Sequence, residues 1–152
     1  MGETGRRQRR QWRRDGGFTF IEILVAMMIV FILAGSAGFV YFRYVLRARI
    51  VAAREQIDIF ELALSSYLTD CGAYPSTEQG LKALWEKPIL EPVPRGWAGP
   101  YLTKEVPNDP WGHEYQYRAP GPNNLPFAIM STGSDGAEGG EGDAADVVSW
   151  KR

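Results

Sequence analysis

Two places in this sequence set charged side chains where chemistry has to account for them. The tract STGSDGAEGGEGDAAD (131–146) holds five acids and five glycines and almost nothing apolar. Calcium takes about six to eight oxygen ligands, some of them backbone carbonyls, and a chain that curls freely can supply both kinds. Asp135, Asp143 and Asp146 are the candidate carboxylate ligands. Set against a helix–loop–helix calcium loop starting at Asp135, Gly140 falls at the sixth position and Asp143 and Asp146 at the ninth and twelfth. Ala137 and Gly139, however, stand where ligating side chains belong. A solvated turn without an ion is the alternative; the apolar VVSW (147–150) that follows favours an ordered loop. The second place is RRDGGFTFIEILVAMM (13–28), where Glu22 stands alone inside an apolar run. A carboxylate in hydrocarbon is costly, and the neighbouring sequence offers it no evident partner.

Enzymatic groups are sparse. His113 is the only histidine and has no Ser, Cys or second His nearby at catalytic spacing, which leaves it a turn or surface role. Cys71 is the only cysteine, so an intrachain disulfide and a zinc-type spacing are both excluded, and a small buried side chain is the expectation. Six of the 17 basic residues lie in the first 17 positions. The remainder carries 11 basic against 16 acidic residues, a net of −5, which argues against nucleic-acid binding by the body of the protein. Tyr74, Trp85, Trp97, Tyr101, Trp111, Tyr115 and Tyr117 are read as core and loop packing rather than as a carbohydrate platform in so small a domain.

The elements that must position these residues follow from periodicity. Residues 23–42 contain no charge. At 1.5 Å per residue, twenty residues match a hydrocarbon core about 30 Å thick, so a membrane segment is expected. The arginines before it favour an N-terminus in the cytoplasm. Leu46, Ile50, Ala53, Ile57, Phe60, Leu64 and Tyr67 then recur at steps of three and four, one apolar seam on a helix. No proline interrupts 18–70, and CGAYP supplies a stop. One helix of roughly 50 residues, about 75 Å long, is predicted, apolar all round in its first half and amphipathic in its second. STEQGLKALWEKP (76–88) reads as a short helix capped by Ser76 or Thr77. The proline- and tryptophan-rich stretch 88–113 reads as an ordered loop. Glu114–Arg118, Phe127–Met130 and VVSW read as short strands. The organisation predicted is a leader (1–17), a membrane half-helix (18–42), an amphipathic half-helix (43–70) and a globular domain (71–152).

A basic front before an apolar run fits a secretory signal, with LAGSAG (33–38) as its cut, and faintly a twin-arginine signal. Neither accounts for Glu22. The run Gly16-Gly17 followed by FTFIEILVAMMIV resembles the class III signal of type IV pilins and pseudopilins. That resemblance implies cleavage by a prepilin peptidase between Gly17 and Phe18 and N-methylation of Phe18. It also implies that Glu22 acts in assembly, paired with the α-amino group of a neighbouring subunit's Phe18. YPSTEQGLKALWEKP, GPYLTKEVPNDPWGHEYQYRAPG and the acidic loop ending in VVSW are similar to the G-type, or major, pseudopilins of type II secretion systems. The resemblance implies an α+β, pilin-like fold: a long N-terminal helix packed on a small antiparallel sheet, with an irregular calcium-binding loop near the C-terminus. Asp135, Asp143 and Asp146 match its acidic positions, with carbonyls at Thr132 or Ser134 as further ligands.

The resemblance further implies a single-pass protein of a bacterial inner membrane with its C-terminal domain in the periplasm. It would self-assemble into a helical filament, a pseudopilus that drives export of folded proteins. Its partners would be minor pseudopilins, the peptidase and an inner-membrane secretion platform, and its role structural rather than enzymatic. Two alternatives stay open on the sequence: a type IV pilin for adhesion or DNA uptake, and a calcium-binding module secreted after a cut near LAGSAG.

Overall fold

The computed structural model describes residues 17–151, without the side chains of 36–40; all of the leader (1–17) but Gly17, together with Arg152, lies outside the described residues. The chain divides into two compact units, one ending at Tyr41 and the other beginning at Phe42. Helix α1, Phe20–Cys71, contributes to both.

In the first unit α1 is apolar on every side. Phe20, Ile21, Met27, Phe31 and Leu33 are all exposed, Phe20 by 82%. A helix hydrophobic all round has no solvent face of its own. Among the described residues no helix is long and apolar enough to cross a membrane. The expected span, 23–42, runs through the side chains at 36–40 that lie outside them.

In the second unit the seam predicted from spacing is the core. Ala53, Ile57, Phe60, Leu64 and Tyr67 are buried, joined by Ala63, while Leu46 and Ile50 are half-buried at its upper end. They pack with Leu81 and Leu84 from the following segment and with Tyr115, Ile129 and Val147 from the sheet. Phe60 meets Tyr115 edge-on, ring centroids 5.2 Å apart, and Tyr67 meets Tyr101 in the same way at 5.5 Å. Such aromatic pairs add about 0.5–1.5 kcal/mol beyond the area they bury. The helix ends where the Gly72 N–H closes on the Leu68 carbonyl at 2.8 Å.

The segment expected as a short helix, 76–88, takes another form. Ser76 and Gln79 cap each other through backbone and side chain. Gly80 then turns the chain at φ 61°, ψ −169°, which no α-helix passes through, and only a 3₁₀ turn, Leu81–Leu84, follows. The proline-rich loop after it is ordered by side-chain anchors. The Gln79 amide donates to the carbonyls of Leu90 and Pro92, and the Trp97 indole donates to the Ala83 carbonyl.

Three short strands, β1 (Gln116–Arg118), β2 (Ala128–Ser131) and β3 (Val147–Val148), form an antiparallel sheet in the order β1-β2-β3. Gln116 pairs with Met130, and Met130 with Val148. Strand β1 starts two residues later than expected, at Gln116, the first residue paired with β2. The result is the predicted α+β arrangement of a long helix on a small antiparallel sheet.

Candidate functional site

The start of α1 supplies what the sequence alone left unassigned. Thr19 is the residue before the helix, and its hydroxyl accepts the Glu22 backbone N–H at 3.3 Å. The Glu22 carboxylate reaches back to the Thr19 N–H at 3.4 Å. This is a reciprocal capping box, in which a carboxylate also faces the positive end of the helix dipole. The expectation that Glu22 lacks a nearby partner is therefore corrected. Its signal was present in the sequence as Thr19-x-x-Glu22. Around this polar pair Phe18, Ile23, Met27, Val30 and Phe31 line an apolar groove of about 430 Å³.

The acidic loop occupies the segment between β2 and β3. Its two limbs run together: the Ser134 N–H donates to the Asp143 carbonyl at 3.0 Å. Gly133, at φ 62°, lies so close to the other limb that a Cβ there would sit 2.9 Å from the Ala144 carbonyl carbon, so only glycine fits. The three carboxylates singled out by type are each drawn to a different donor. Asp135 caps its own turn by accepting the Ala137 N–H at 3.1 Å. Asp143 accepts the Trp111 indole N–H at 3.0 Å, and Asp146 accepts the Gly139 N–H at 2.8 Å. Thr132 is buried, and Ser134 is exposed beside it.

Among the described residues no three His, Cys, Asp or Glu side chains are grouped to hold a metal ion. A calcium ligand set built largely of carbonyls does not need such a group. The structural observation that bears on an ion is Asp146 Oδ1, which is buried and takes no hydrogen bond. A buried carboxylate oxygen without a donor is costly, and a hard cation satisfies it. The oxygen-only donors of this loop fit calcium better than a softer metal.

Asp109 and Ser131 escaped the reading by residue type, as did the contacts that Trp111 and His113 make with the loop. Asp109, 5% exposed, accepts the Trp111 N–H at 3.0 Å and the His113 N–H at 2.8 Å through one oxygen. Its other oxygen accepts the hydroxyl of fully buried Ser131. His113 Nδ1 lies 2.9 Å from the Gly133 carbonyl, and because a carbonyl only accepts, that nitrogen carries the hydrogen. His113 thus has the turn position expected of it and an unforeseen contact with the loop. An aspartate two and four residues before its backbone partners, in NDPWGH, is the local signal. The contacts to Gly133 and Asp143 leave no such trace.

Burial also shapes the tyrosines around the core. Burial, with the nearby Asp109 carboxylate second, raises the Tyr115 phenol to about 12; burial likewise raises Tyr67 to about 12, with Cys71 adding to it. Cys71 itself is half-buried and unbridged, with its sulfur 3.9 Å from the Tyr101 hydroxyl.

Comparison with known proteins bears on both ends of the chain. The family described as Type II secretion system (T2SS), protein G matches residues 41–150, and the Prokaryotic N-terminal methylation motif matches residues 12–38. The Type II secretion system core protein G of Pseudomonas aeruginosa is 42% identical over 140 residues, 92% of this chain and 98% of the relative. That of Vibrio cholerae is 38% identical over 141 residues, 93% of this chain and 95% of the relative. The crystal structure of the major pseudopilin from the type 2 secretion system of enterohaemorrhagic Escherichia coli superposes with a TM-score of 0.60 at 35% identity. It covers 68% of this chain and 88% of the solved one.

Proposed function

The chain belongs to the type II secretion system protein G family and is a structural subunit of the pseudopilus of such a system, and from that premise we propose how its two ends serve assembly. The match of 41–150 to protein G favours this role over an adhesion or DNA-uptake pilin, and over a secreted calcium module. The role is structural; no reaction is assigned to it.

The observation that carries the proposal is the Thr19–Glu22 pair at the head of a helix apolar on all sides. Before assembly the apolar half, 18–42, lies in the inner membrane with the domain from 71 onward in the periplasm. A prepilin peptidase cuts between Gly17 and Phe18, and Phe18 is N-methylated. The new α-amino group, on Phe18, then lies next to Thr19 and four residues before Glu22, and the α-amino group of a neighbouring copy becomes Glu22's ionic partner. Subunits add through this end to a helical filament on an inner-membrane secretion platform. Minor pseudopilins share the filament, whose growth drives folded proteins outward. Removal of one partner from a buried ion pair costs about 3–5 kcal/mol, enough to make the pairing a condition for docking.

At the other end we assign calcium to the acidic loop, with Asp135, Asp143 and Asp146 and the carbonyls of Thr132 and Ser134 as its holders. Bound calcium supplies two positive charges that offset the five acids of the tract. Asp146 Oδ1, buried and without a donor, is the oxygen with most to gain. A site formed only in the folded state adds RT ln(1 + [Ca²⁺]/Kd) to stability.

The intact mass and N-terminal sequence of the chain taken from its own cell membranes test the processing half. A start at Phe18 with one added methyl is the expected result. A start near Ala37, or an uncut leader, would overturn it.

A further inference from the structure

Resting on the calcium reading above, we infer that the turn Asp109–His113 is a clamp that holds the acidic loop closed, so that Trp111 and His113, which bind no ion themselves, set its calcium affinity. The clamp grips both limbs of the loop. Trp111 donates its indole N–H to Asp143 on the returning limb, and His113 donates Nδ1–H to the Gly133 carbonyl on the outgoing limb. Both grips are anchored in the core through Asp109, whose second oxygen holds the hydroxyl of fully buried Ser131. The His113 ring also lies against the loop at Gly136, where a Cβ would stand 3.1 Å from Nε2.

The physical need for such a clamp lies in the loop's composition. Five glycines in 16 residues give the open loop a large backbone entropy, and five acids repel one another when gathered. An ion that had to order this tract unaided would bind weakly. The clamp orders it beforehand and so reduces what binding must overcome. It also fixes the ligands' aim. The indole takes one oxygen, Oδ1, of the Asp143 carboxylate and orients the group. The His113 bond fixes the peptide between Thr132 and Ser134, the two residues whose carbonyls are in the assigned set.

Trp111 and His113 are therefore positioning residues, and the test separates affinity from folding. Calcium affinity is measured by titration calorimetry on the full chain in detergent after chelation, alongside the melting temperature of the calcium-free form and the tryptophan emission on adding calcium. Outer partners of metal ligands typically govern affinity by about 10-fold to 100-fold. Trp111→Phe keeps the ring and removes the N–H. It is expected to weaken calcium binding by roughly that factor while the calcium-free melting temperature stays near wild type. His113→Ala should weaken binding similarly, and His113→Asn, whose amide nitrogen falls close to Nδ1, should recover most of the loss. Calcium should alter the wild-type emission, and Trp111→Phe should reduce the change, leaving the part due to Trp150, which lines a cavity with Asp146 and Gly139. Wild-type affinity in Trp111→Phe, or a calcium-free melting temperature that falls with the affinity, overturns the clamp. A wild-type chain that takes up no calcium overturns the calcium reading beneath it.

Discussion

Asp109 offers the sharpest test of how the globular unit is held, because its carboxylate satisfies three donors at once. Asp109→Ala orphans the N–H groups of Trp111 and His113 and the hydroxyl of Ser131. These losses are unequal. Trp111 and His113 are half-buried, so water can replace the carboxylate there at a net cost of about 0.5–1.5 kcal/mol each. Ser131 is fully buried, and its hydroxyl loses its partner outright, about 1–3 kcal/mol. Together the substitution should destabilise the unit by about 2–6 kcal/mol. For a domain of this size that is a fall in melting temperature on the order of 10–50 °C. Asp109→Asn differs in kind. Its carbonyl can still accept both N–H groups, and its amide can donate to a rotated Ser131 hydroxyl, leaving only the loss of charge assistance, about 1–2 kcal/mol. Thermal unfolding of the full chain followed by near-ultraviolet circular dichroism, with chelator present so that no ion masks the effect, separates the two. Equal losses in the Asn and Ala variants, or a negligible loss in Ala, would refute the donor accounting.

Two further predictions concern the ends of the chain and its behaviour in alkali. If Glu22 serves only as a helix cap, Glu22→Gln should assemble normally, since glutamine fills the same position of a capping box. The ionic reading instead expects Glu22→Gln and Glu22→Ala both to abolish filaments seen by electron microscopy while the melting of the globular unit stays unchanged. Buried Tyr67 and Tyr115, with phenols raised by burial to about 12, favour the fold in their neutral form. Their contribution is intact below the unfolded value near 10 and is lost as pH rises towards 12. The melting temperature should accordingly fall across that interval, with phenolate absorbance rising as the fold is lost; a melting temperature independent of pH there would count against it.

Much of this protein was legible before any fold was known, for a reason of range. Helical periodicity relates residues three and four apart, and the seam from Ala53 to Tyr67 is therefore written in local spacing. So is the Thr19–Glu22 cap, whose partners stand three residues apart. The acidic loop announced its oxygen donors by residue type, and the resemblance to the G-type pseudopilins pointed to the family and its pseudopilus. What local spacing cannot hold is a contact between distant segments. Gly80 turned an apparently helical pattern into a single 3₁₀ turn, because one positive φ outweighs several favourable neighbours. Tertiary folding alone brought Trp111 to Asp143, 32 residues on, His113 to Gly133, 20 residues on, and Asp109 to Ser131, 22 residues on. Each joins groups whose pairing depends on how the sheet turns back beside the helix. Residue type thus determined which oxygens an ion could use; the packed core decided how those oxygens are held.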